Sequence, residues 1–315
     1  MVPSLYGEQN AHLRRIEKAM NVTLSSRGNE IAITDGSESA IKKTKQILEA
    51  LWHKLQLGEA VDTHTIDSAL RFLEEKNNPS KNGTVANNGF SEDALWIATK
   101  KKPKITPRTP MQAAYIQCMK DNKLAFGVGP AGTGKTYLAV AKAVELLEQG
   151  VIERIVLTRP AVEAGERIGF LPGEMKEKMD PYMRPLYDAL QDTMAPEKLQ
   201  KLMATEEIEI APLAFMRGRT LSNAFIILDE GQNTTHNQMK MFLTRIGENS
   251  HAVVTGDPSQ TDLPAHEKSG LTEALNILND VEDIGIVYFT HKDVVRSGLV
   301  TKIVKAYDDH DKHSR

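Results

Sequence analysis

A glycine-rich stretch with one lysine and one threonine is the clearest chemical signal in this 315-residue sequence. The residues GPAGTGKT fit the spacing G-x4-G-K-[ST], and they stand between the apolar run LAFGV and the helical pattern YLAVAKAVELLEQG. Glycines let a loop turn its backbone N–H groups toward a phosphate, and the positive end of the following helix faces the same group. The sequence therefore predicts a phosphate-binding loop made of Gly129, Pro130, Ala131, Gly132, Thr133, Gly134, Lys135 and Thr136.

Two residues of this loop have predicted roles in binding a nucleoside triphosphate. The Lys135 ammonium group would bridge the β- and γ-phosphates, and the Thr136 hydroxyl would be a ligand of Mg²⁺. A GTP-binding protein would carry an N-K-x-D motif that reads guanine. The nearest match, NKLA at 122–125, lacks the aspartate and precedes the loop, so GTP is disfavoured.

An acidic pair follows the apolar run in AFIILDEGQN. Phe225 to Leu228 are predicted to form a buried strand, and an acid at the carboxyl end of a parallel strand faces the crevice where ligands bind. Asp229 would hold Mg²⁺, and Glu230 would polarise the attacking water. Taken alone, the pair could equally be the solvated end of a surface strand, but its combination with a complete phosphate loop favours catalysis.

A third group of polar residues follows another apolar run, in VVTGDPSQTDLP. Asp257, Ser259 and Gln260 are predicted to face the same edge of the sheet. Gln260 would hydrogen-bond the γ-phosphate or orient water there, and the alternative is a polar turn without a ligand.

Phosphoryl transfer also benefits from a cation beside the developing charge. Four arginines are candidates, and the alternative for each is an ordinary surface position. Arg296 ranks first because it follows the last predicted strand; the others are Arg159, Arg217 and Arg219.

The region that carries these motifs, from about residue 109 to 315, alternates short apolar runs with helical patterns. Strands without polar alternation, separated by helices, indicate an α/β fold whose mostly parallel sheet is buried on both faces. The candidate strands are LAFGV, RIVLT, EIEIA, FIILD, AVVTG and IGIVYF.

The first 108 residues have a different pattern. Residues 1–58 are predicted to be a small α+β domain, with the helix AHLRRIEKAM, the strand NEIAITD and the long helix SESAIKKTKQILEALWHKL. Residues 59–108 are predicted to be one more helix followed by a flexible linker. The basic run TKKKPKITPR at its end is interpreted as a solvated connector or as a contact to a phosphate backbone.

Composition limits the other functions. The net charge of −3 gives no global attraction to nucleic acid, so such a contact would need a local basic surface. The lone cysteine, Cys118, excludes an internal disulfide and is expected to be a buried structural thiol. We expect a cytoplasmic protein, since there is no signal peptide pattern and no window of roughly 18 apolar residues. We do not expect His64, His236 or the tail YDDHDKHSR to form a metal site.

Together these segments resemble the PhoH family of phosphate-starvation-inducible ATPases over nearly the whole chain. The most specific segment is RPAVEAGERIGFLPGEMKEKMDPYMRPLYDAL, supported by LAFMRGRTLSNAFIILDEGQNTT and DVVRSGLV. The resemblance implies a three-layer, RecA-like P-loop core similar to one domain of superfamily 1 helicases, with ATP and Mg²⁺ as ligands. It also implies that Gln112 reads adenine, that Gln260 senses the γ-phosphate, and that the N-terminal domain is KH-like, with GEQN at 7–10 in place of the GxxG loop.

A single core has a consequence for assembly. Superfamily 1 helicases hold ATP between two RecA-like domains of one chain, but residues 109–315 are enough for one domain, and the sequence has no second phosphate loop. We therefore predict a ring-like homo-oligomer, most simply a hexamer, in which Arg296 acts on the nucleotide of a neighbouring subunit.

The sequence leaves three functions open. The first is an ATPase that remodels or translocates on RNA. The second is another phosphoryl-transfer enzyme, such as a small-molecule kinase, and the third is an RNA-binding module that holds ATP without turnover. No separate nuclease domain is expected, since the sequence has no cluster of spaced acids beyond the core.

Overall fold

The computed structural model describes residues 2–76, 95–96, 104–160, 175–264 and 266–295. The chain divides into two compact units. Unit 1 comprises residues 1–93 and 106–114, and unit 2 comprises residues 94–105 and 115–315. The predicted linker at 77–89, residues 99–103 of the basic run at 99–108 and the tail lie outside the described residues.

Unit 1 combines helices with one hairpin. Its elements are α1 (Val2–Tyr6), α2 (Ala11–Met20), β1 (Thr23–Arg27), β2 (Glu30–Thr34), α3 (Glu38–Gln56) and α4 (Thr63–Lys76). Strands β1 and β2 pair antiparallel. The apolar stripes of the helices meet in one core that contains Leu13, Ile16, Ile47, Leu51 and Ile66.

Two features of unit 1 were not evident from the pattern. Strand β1, with the sequence TLSSR, was missed because Leu24 is its one apolar residue. Helix α4, predicted as part of a connecting segment, places Ile66 in the core of unit 1. The KH-like identity stays a prediction; in the described residues the unit has two strands, and a short 3₁₀ turn at Glu8–Asn10 follows Gly7.

Unit 2 is built on a sheet of six strands, and every neighbouring pair in it is parallel. The strands are β5 (Leu124–Val128), β6 (Arg154–Arg159), β7 (Ile208–Pro212), β8 (Ala224–Leu228), β9 (His251–Gly256) and β10 (Ile284–Tyr288). Their order across the sheet is β10-β5-β9-β8-β6-β7. All six candidate strands are thus present, and the predicted α/β fold is confirmed.

Helices cover both faces of this sheet. They are α5 (Pro110–Asp121, whose first residues belong to unit 1), α6 (Lys135–Glu148), α7 (Met175–Thr193), α8 (Pro196–Ala204), α9 (His236–Leu243) and α10 (Gly270–Ile277). Strand β8 shows that both faces of the sheet are covered. Ile226 packs with side chains of α9 and α10 on one face, and its neighbours Phe225 and Ile227 point to the other face and are equally buried. The result is a three-layer core of the P-loop, RecA-like type. A two-stranded antiparallel ribbon, β3 (Leu95–Trp96) with β4 (Lys104–Ile105), also belongs to unit 2.

The strand order determines where a site can form. The phosphate-loop strand β5 and the acid-bearing strand β8 are separated by β9 alone, and β6 lies on the far side of β8. Parallel strands end at a common edge, so the segments that follow β5, β6, β8 and β9 converge; we call this the carboxyl edge. None of the helices in the described part of the chain is long and apolar enough to cross a membrane.

Candidate nucleotide-binding site

The phosphate loop connects β5 to α6 at the carboxyl edge. Gly129 has φ 138°, and a Cβ atom there would lie 2.4 Å from the backbone oxygen of Phe289, so no other residue fits. Gly134 caps α6 in the left-handed conformation, with φ 85°. The loop therefore depends on glycine for both close approach and backbone conformation, and α6 begins at Lys135 with its amino end directed toward the loop.

Lys135 is largely buried and folds back over the loop. Its Nζ donates to the carbonyl oxygens of Gly129 at 2.6 Å and Pro130 at 2.8 Å. Burial lowers the pKa of Lys135, and the negative charges of Asp257, Asp229 and Glu230 oppose that shift. The ammonium group thus lies where a phosphate could attract it, amid three carboxylates.

Thr136 joins the phosphate loop to the acidic pair. Its Oγ1 donates to Asp229 Oδ1 at 2.7 Å, and Thr255 Oγ1 at the end of β9 donates to the same oxygen at 2.6 Å. Asp229 is 4% exposed. Thr136 and Asp229, both predicted from the sequence to be Mg²⁺ ligands, are 93 positions apart in the chain and are in direct contact in the structure. A hydroxyl and a carboxylate are the hard oxygen donors that Mg²⁺ prefers, so the residues present fit that ion.

Glu230 is held in an uncommon conformation beside this contact. Its backbone is left-handed, with φ 56°, and its side chain is 41% exposed. Oε1 accepts a hydrogen bond from Arg159 at 2.7 Å, and Oε2 accepts one from the amide nitrogen of Gln232. A non-glycine residue kept in this region is strained, and such strain is concentrated at functional sites.

Gln232 links the acidic pair to the third group of polar residues. Its Oε1 accepts the backbone N–H of Asp257 at 3.0 Å, while its nitrogen donates to Glu230. Gln260 in turn donates to Asp257 Oδ2 at 2.8 Å, and Ser259 Oγ donates to Asp257 Oδ1 at 2.7 Å. The GDPSQ segment is therefore a structured loop at the site, connected to Glu230 through one glutamine.

These segments enclose one pocket of about 260 Å³. It is lined by Ala131, Gly132, Gly134, Lys135, Thr136, Tyr137, Asp229, Glu230, Gly256, Asp257 and Gln260. Two larger cavities in the described part of the chain, one with mostly apolar walls beside α9 and α10 and one in unit 1, lack this set of polar groups, so this pocket is the candidate site because of its chemistry and not its size.

The structure gives less direct support for the other candidate residues of this site. Gln112 lies in unit 1, on the first turns of α5, where its Oε1 accepts the backbone N–H of Arg108 at 2.7 Å; its adenine-reading role stays a prediction. Arg296 lies outside the described residues, but the backbone N–H of Val295 donates to Gly132 O at 2.9 Å. Arg219 forms a two-pronged ion pair with Glu209, and Arg217 is exposed.

The sequence analysis missed three partners of the acidic pair. Gln232 stands in the segment AFIILDEGQN quoted above, which could have identified it, and Thr255 directly precedes the residues GDPSQ of VVTGDPSQTDLP. Arg159 was considered only as a cation for the nucleotide, whereas it contacts both Asp229 and Glu230. Cys118, predicted to be buried, is only partly buried, and this burial raises its pKa to about 11. In the described part of the chain, no group of three or more His, Cys, Asp or Glu side chains could hold a metal ion by itself.

Comparison with known proteins gives the family. The sequence profile described as PhoH-like protein matches residues 104–308. A PhoH-like protein of Mycobacterium tuberculosis H37Rv is 46% identical over 307 residues, covering 98% of this chain and 85% of the relative. One from Bacillus subtilis is 46% identical, covering 97% and 93%, and Protein PhoH of Escherichia coli K12 is 36% identical, covering 96% and 82%. With a complete phosphate loop in a parallel α/β core, this chain belongs to the PhoH-like protein family.

Proposed function

We propose that this protein binds ATP with Mg²⁺ and hydrolyses it. The observation that carries the proposal is the 2.7 Å hydrogen bond between Thr136 and Asp229, because it brings both expected Mg²⁺ ligands together at the phosphate loop. A phosphate loop alone would support binding. The adjacent carboxylate of Glu230 supports water activation as well.

Each residue has a role that follows from its position. The N–H groups of the loop bind phosphate oxygens, and Lys135 exchanges its two carbonyl partners for them. Glu230, partly exposed to the pocket, accepts the proton of the attacking water. When bound, Mg²⁺ supplies positive charge that neutralises the phosphates. Gln260, which donates to Asp257, reports the state of the γ-phosphate to the GDPSQ loop.

The first experiment is phosphate release from ATP and GTP, with Mg²⁺ or with chelator. Glu230→Gln should lower kcat by about 10²–10⁴-fold, the usual contribution of a general base, while ATP still raises the melting temperature. Glu248→Gln, an exposed glutamate at the other end of the sheet, is the matched control. Binding without turnover by the unmodified protein would favour the non-catalytic module, and transfer to an added small acceptor would favour a kinase.

Coupling to RNA is the second part of the proposal. Phe215 is 50% exposed in the turn after β7, and the nearby Arg217 is also exposed. Aromatic rings that stack on bases contribute roughly 1–3 kcal/mol per base, and arginine adds charge. These residues could provide the local surface that a chain with a net charge of −3 requires.

A single-stranded uridine oligomer tests this coupling. We expect it to increase ATP turnover, and we expect Phe215→Ala and Arg217→Ala to reduce that increase. Val151→Ala, a 54% exposed apolar residue between α6 and β6, is the control. Equal stimulation of all four proteins would reject this surface, and no stimulation of the unmodified protein would reject RNA coupling.

A ring of subunits, most simply six, is the third part. It is supported by the single core. The contact of Val295 with Gly132 O brings the chain that leads to Arg296 past the phosphate loop of its own subunit, so whether Arg296 acts there or on a neighbour is decided by experiment. Mixing two inactive variants tests whether Arg296 of one subunit acts on the nucleotide of a neighbouring subunit. Arg296→Ala and Glu230→Gln subunits, each inactive alone, should regain turnover together, because an intact site would receive an intact arginine. Lack of recovery in mixed oligomers would place the arginine in its own subunit's site.

A further inference from the structure

Arg159 is the residue at this edge whose role the proposed hydrolysis does not yet explain. It is the last residue of β6, and β6 pairs in parallel with β8 so that Thr158 lies opposite Leu228. The residues that follow, Arg159 and Asp229, therefore lie side by side. The Arg159 side chain is 16% exposed, which is unusually buried for an arginine.

The guanidinium group contacts three residues in two parts of unit 2, the acidic pair after β8 and helix α7. Nη2 donates to Glu230 Oε1 at 2.7 Å, and Nε lies 3.1 Å from Asp229 Oδ2 as an ion pair. Nη1 donates to the backbone oxygen of Tyr182, in α7, at 2.6 Å. A planar group with donors on several sides suits such a three-way contact, which a lysine could not reproduce.

These contacts have a consequence for Glu230. Arg159 occupies Oε1 and Gln232 occupies Oε2, and Gln232 is itself fixed through Asp257. The left-handed backbone at Glu230 further limits its movement. A general base needs an oxygen directed at the water it deprotonates. Here each oxygen already accepts one protein hydrogen bond, so the carboxylate is turned toward Arg159 and Gln232, and these contacts fix where its remaining lone pairs point.

We propose that Arg159 is a positioning residue that restrains Glu230 and connects it to α7. This inference rests on the proposed function, since it assigns Glu230 as the base. In the arrangement seen here the carboxylate is held toward Arg159 and Gln232, and loosening the contact with Arg159 would let it turn toward the attacking water.

Helix α7 is well placed to control that release. It packs against α6, the helix that begins at the phosphate loop, and against β6 and β7. Its carbonyl at Tyr182 is the third partner of Arg159, so a displacement of α7 would move the guanidinium group relative to Glu230. The Tyr182 side chain is 37% exposed, so this part of α7 is accessible to solvent.

The test compares two substitutions of Arg159 with a matched control. Without the restraint, kcat for ATP should rise about tenfold in Arg159→Ala, as expected when one charged hydrogen bond no longer opposes the active arrangement. Arg159→Lys, which keeps the charge but not the three-way contact, should also raise kcat, to a smaller extent. KM for ATP should stay within about twofold if the effect acts through Glu230, which is assigned to water activation; a larger change in KM would assign the effect to the ion pair with Asp229, the expected Mg²⁺ ligand, and would overturn the restraint. Arg154→Ala, at the other end of the same strand, should leave kcat unchanged.

Two further measurements separate restraint from a structural role. In Arg159→Ala/Glu230→Gln the gain in kcat should disappear, because the gain acts through the base. Amide hydrogen exchange in α7 should rise in Arg159→Ala. Unchanged exchange would overturn the connection to α7. A kcat that falls in both Arg159 variants while their melting temperatures are kept would overturn the restraint. Absence of ATP turnover in the unmodified protein would instead be a failure of the proposed function.

Discussion

The two ends of the six-stranded sheet are built from the same strands but treat polar groups differently. At the carboxyl edge, Asp229 is buried and accepts two threonine hydroxyls, while Arg159 is shared among three partners. At the opposite end, which we call the amino edge, Lys123 and Asp283 form an ion pair whose side chains are 73% and 60% exposed. The buried carboxylate at the carboxyl edge therefore lines the candidate pocket, whereas the ion pair at the amino edge is solvated.

Backbone conformation distinguishes the two edges less sharply. The left-handed residues at the amino edge include Asn223, Asn249 and Asp283, types that tolerate that region well, but also Glu206, which precedes β7 and has φ 60°. At the carboxyl edge the left-handed non-glycine residue in the described part of the chain is Glu230, which lines the candidate pocket. We infer that this conformation serves turns at the amino edge, whereas at the carboxyl edge it positions an acidic group in the site. Substitutions at the carboxyl edge should therefore affect activity, whereas substitutions at the amino edge should affect stability and leave activity nearly unchanged.

The largest effect is expected from matched Asp→Asn substitutions at the two edges. Asp229→Asn removes the charge that receives Thr136 and Thr255 and should lower kcat/KM for ATP by about 10²–10³-fold. Asp283→Asn, at the amino edge, breaks only an exposed ion pair and should leave kcat/KM within about twofold. Steady-state kinetics measure both. Similar losses from the two substitutions would remove the functional distinction between the edges.

Matched Gly→Ala substitutions should give the next largest effect, measured as the free energy of unfolding in urea. Gly129→Ala forces a Cβ atom to within 2.4 Å of the Phe289 backbone and should lower that free energy by about 3 kcal/mol. Gly150→Ala, in the turn after α6, meets no atom within 4 Å and should cost about 1 kcal/mol, from its φ of 68° alone. If the order were reversed, close packing would not be what requires glycine at position 129.

The sequence predicted the individual strands of unit 2 well because each is an uninterrupted apolar run next to a helical pattern. It also located the loop between β5 and α6, since Gly129 to Thr136 are contiguous and have a characteristic spacing. It missed β1, in which apolar residues do not alternate and Leu24 alone is buried. Sequence patterns were therefore sufficient to predict those features that depend on residues close together in the chain.

The contacts between motifs could not be obtained in this way. That Arg159 meets Glu230 depends on β6 lying next to β8, and strand order is set by the packing of the whole sheet. In the sequence Arg159 was one of four similar candidates. Gln232 presented a similar difficulty, because its two partners, Glu230 and Asp257, come from different segments.

A smaller effect should reveal the strain at Glu230. Glu230→Ala and Glu230→Gly both remove the carboxylate, but only glycine relieves the left-handed backbone. The glycine variant should therefore be more stable than the alanine variant by about 1 kcal/mol in urea unfolding. At the amino edge, Asn223→Gly should change stability by only a few tenths of a kcal/mol, because asparagine already suits φ 52°. Equal stability of the two Glu230 variants would show that the backbone there is unstrained.

The smallest effect concerns pH and the amino edge. His251 is the first residue of β9, and its ring stacks on Phe225 with centroids 6.2 Å apart. Burial lowers the pKa of His251; a hydrogen bond with the Asn122 backbone opposes this, and Lys142 and Lys123 add to it. Because the folded protein binds this proton less readily than the unfolded chain, the stabilising contribution is complete above the ordinary histidine pKa of about 6.5 and is lost as pH falls through the lowered value.

The free energy of unfolding should therefore decrease less between pH 7 and pH 5 in His251→Gln than in the unmodified protein. His266→Gln, whose side chain is 81% exposed, is the control and should follow the unmodified protein. Identical pH profiles for all three proteins would mean that the amino edge contains no buried titrating group of consequence at His251, and the contrast between the edges would then rest on the carboxyl edge alone.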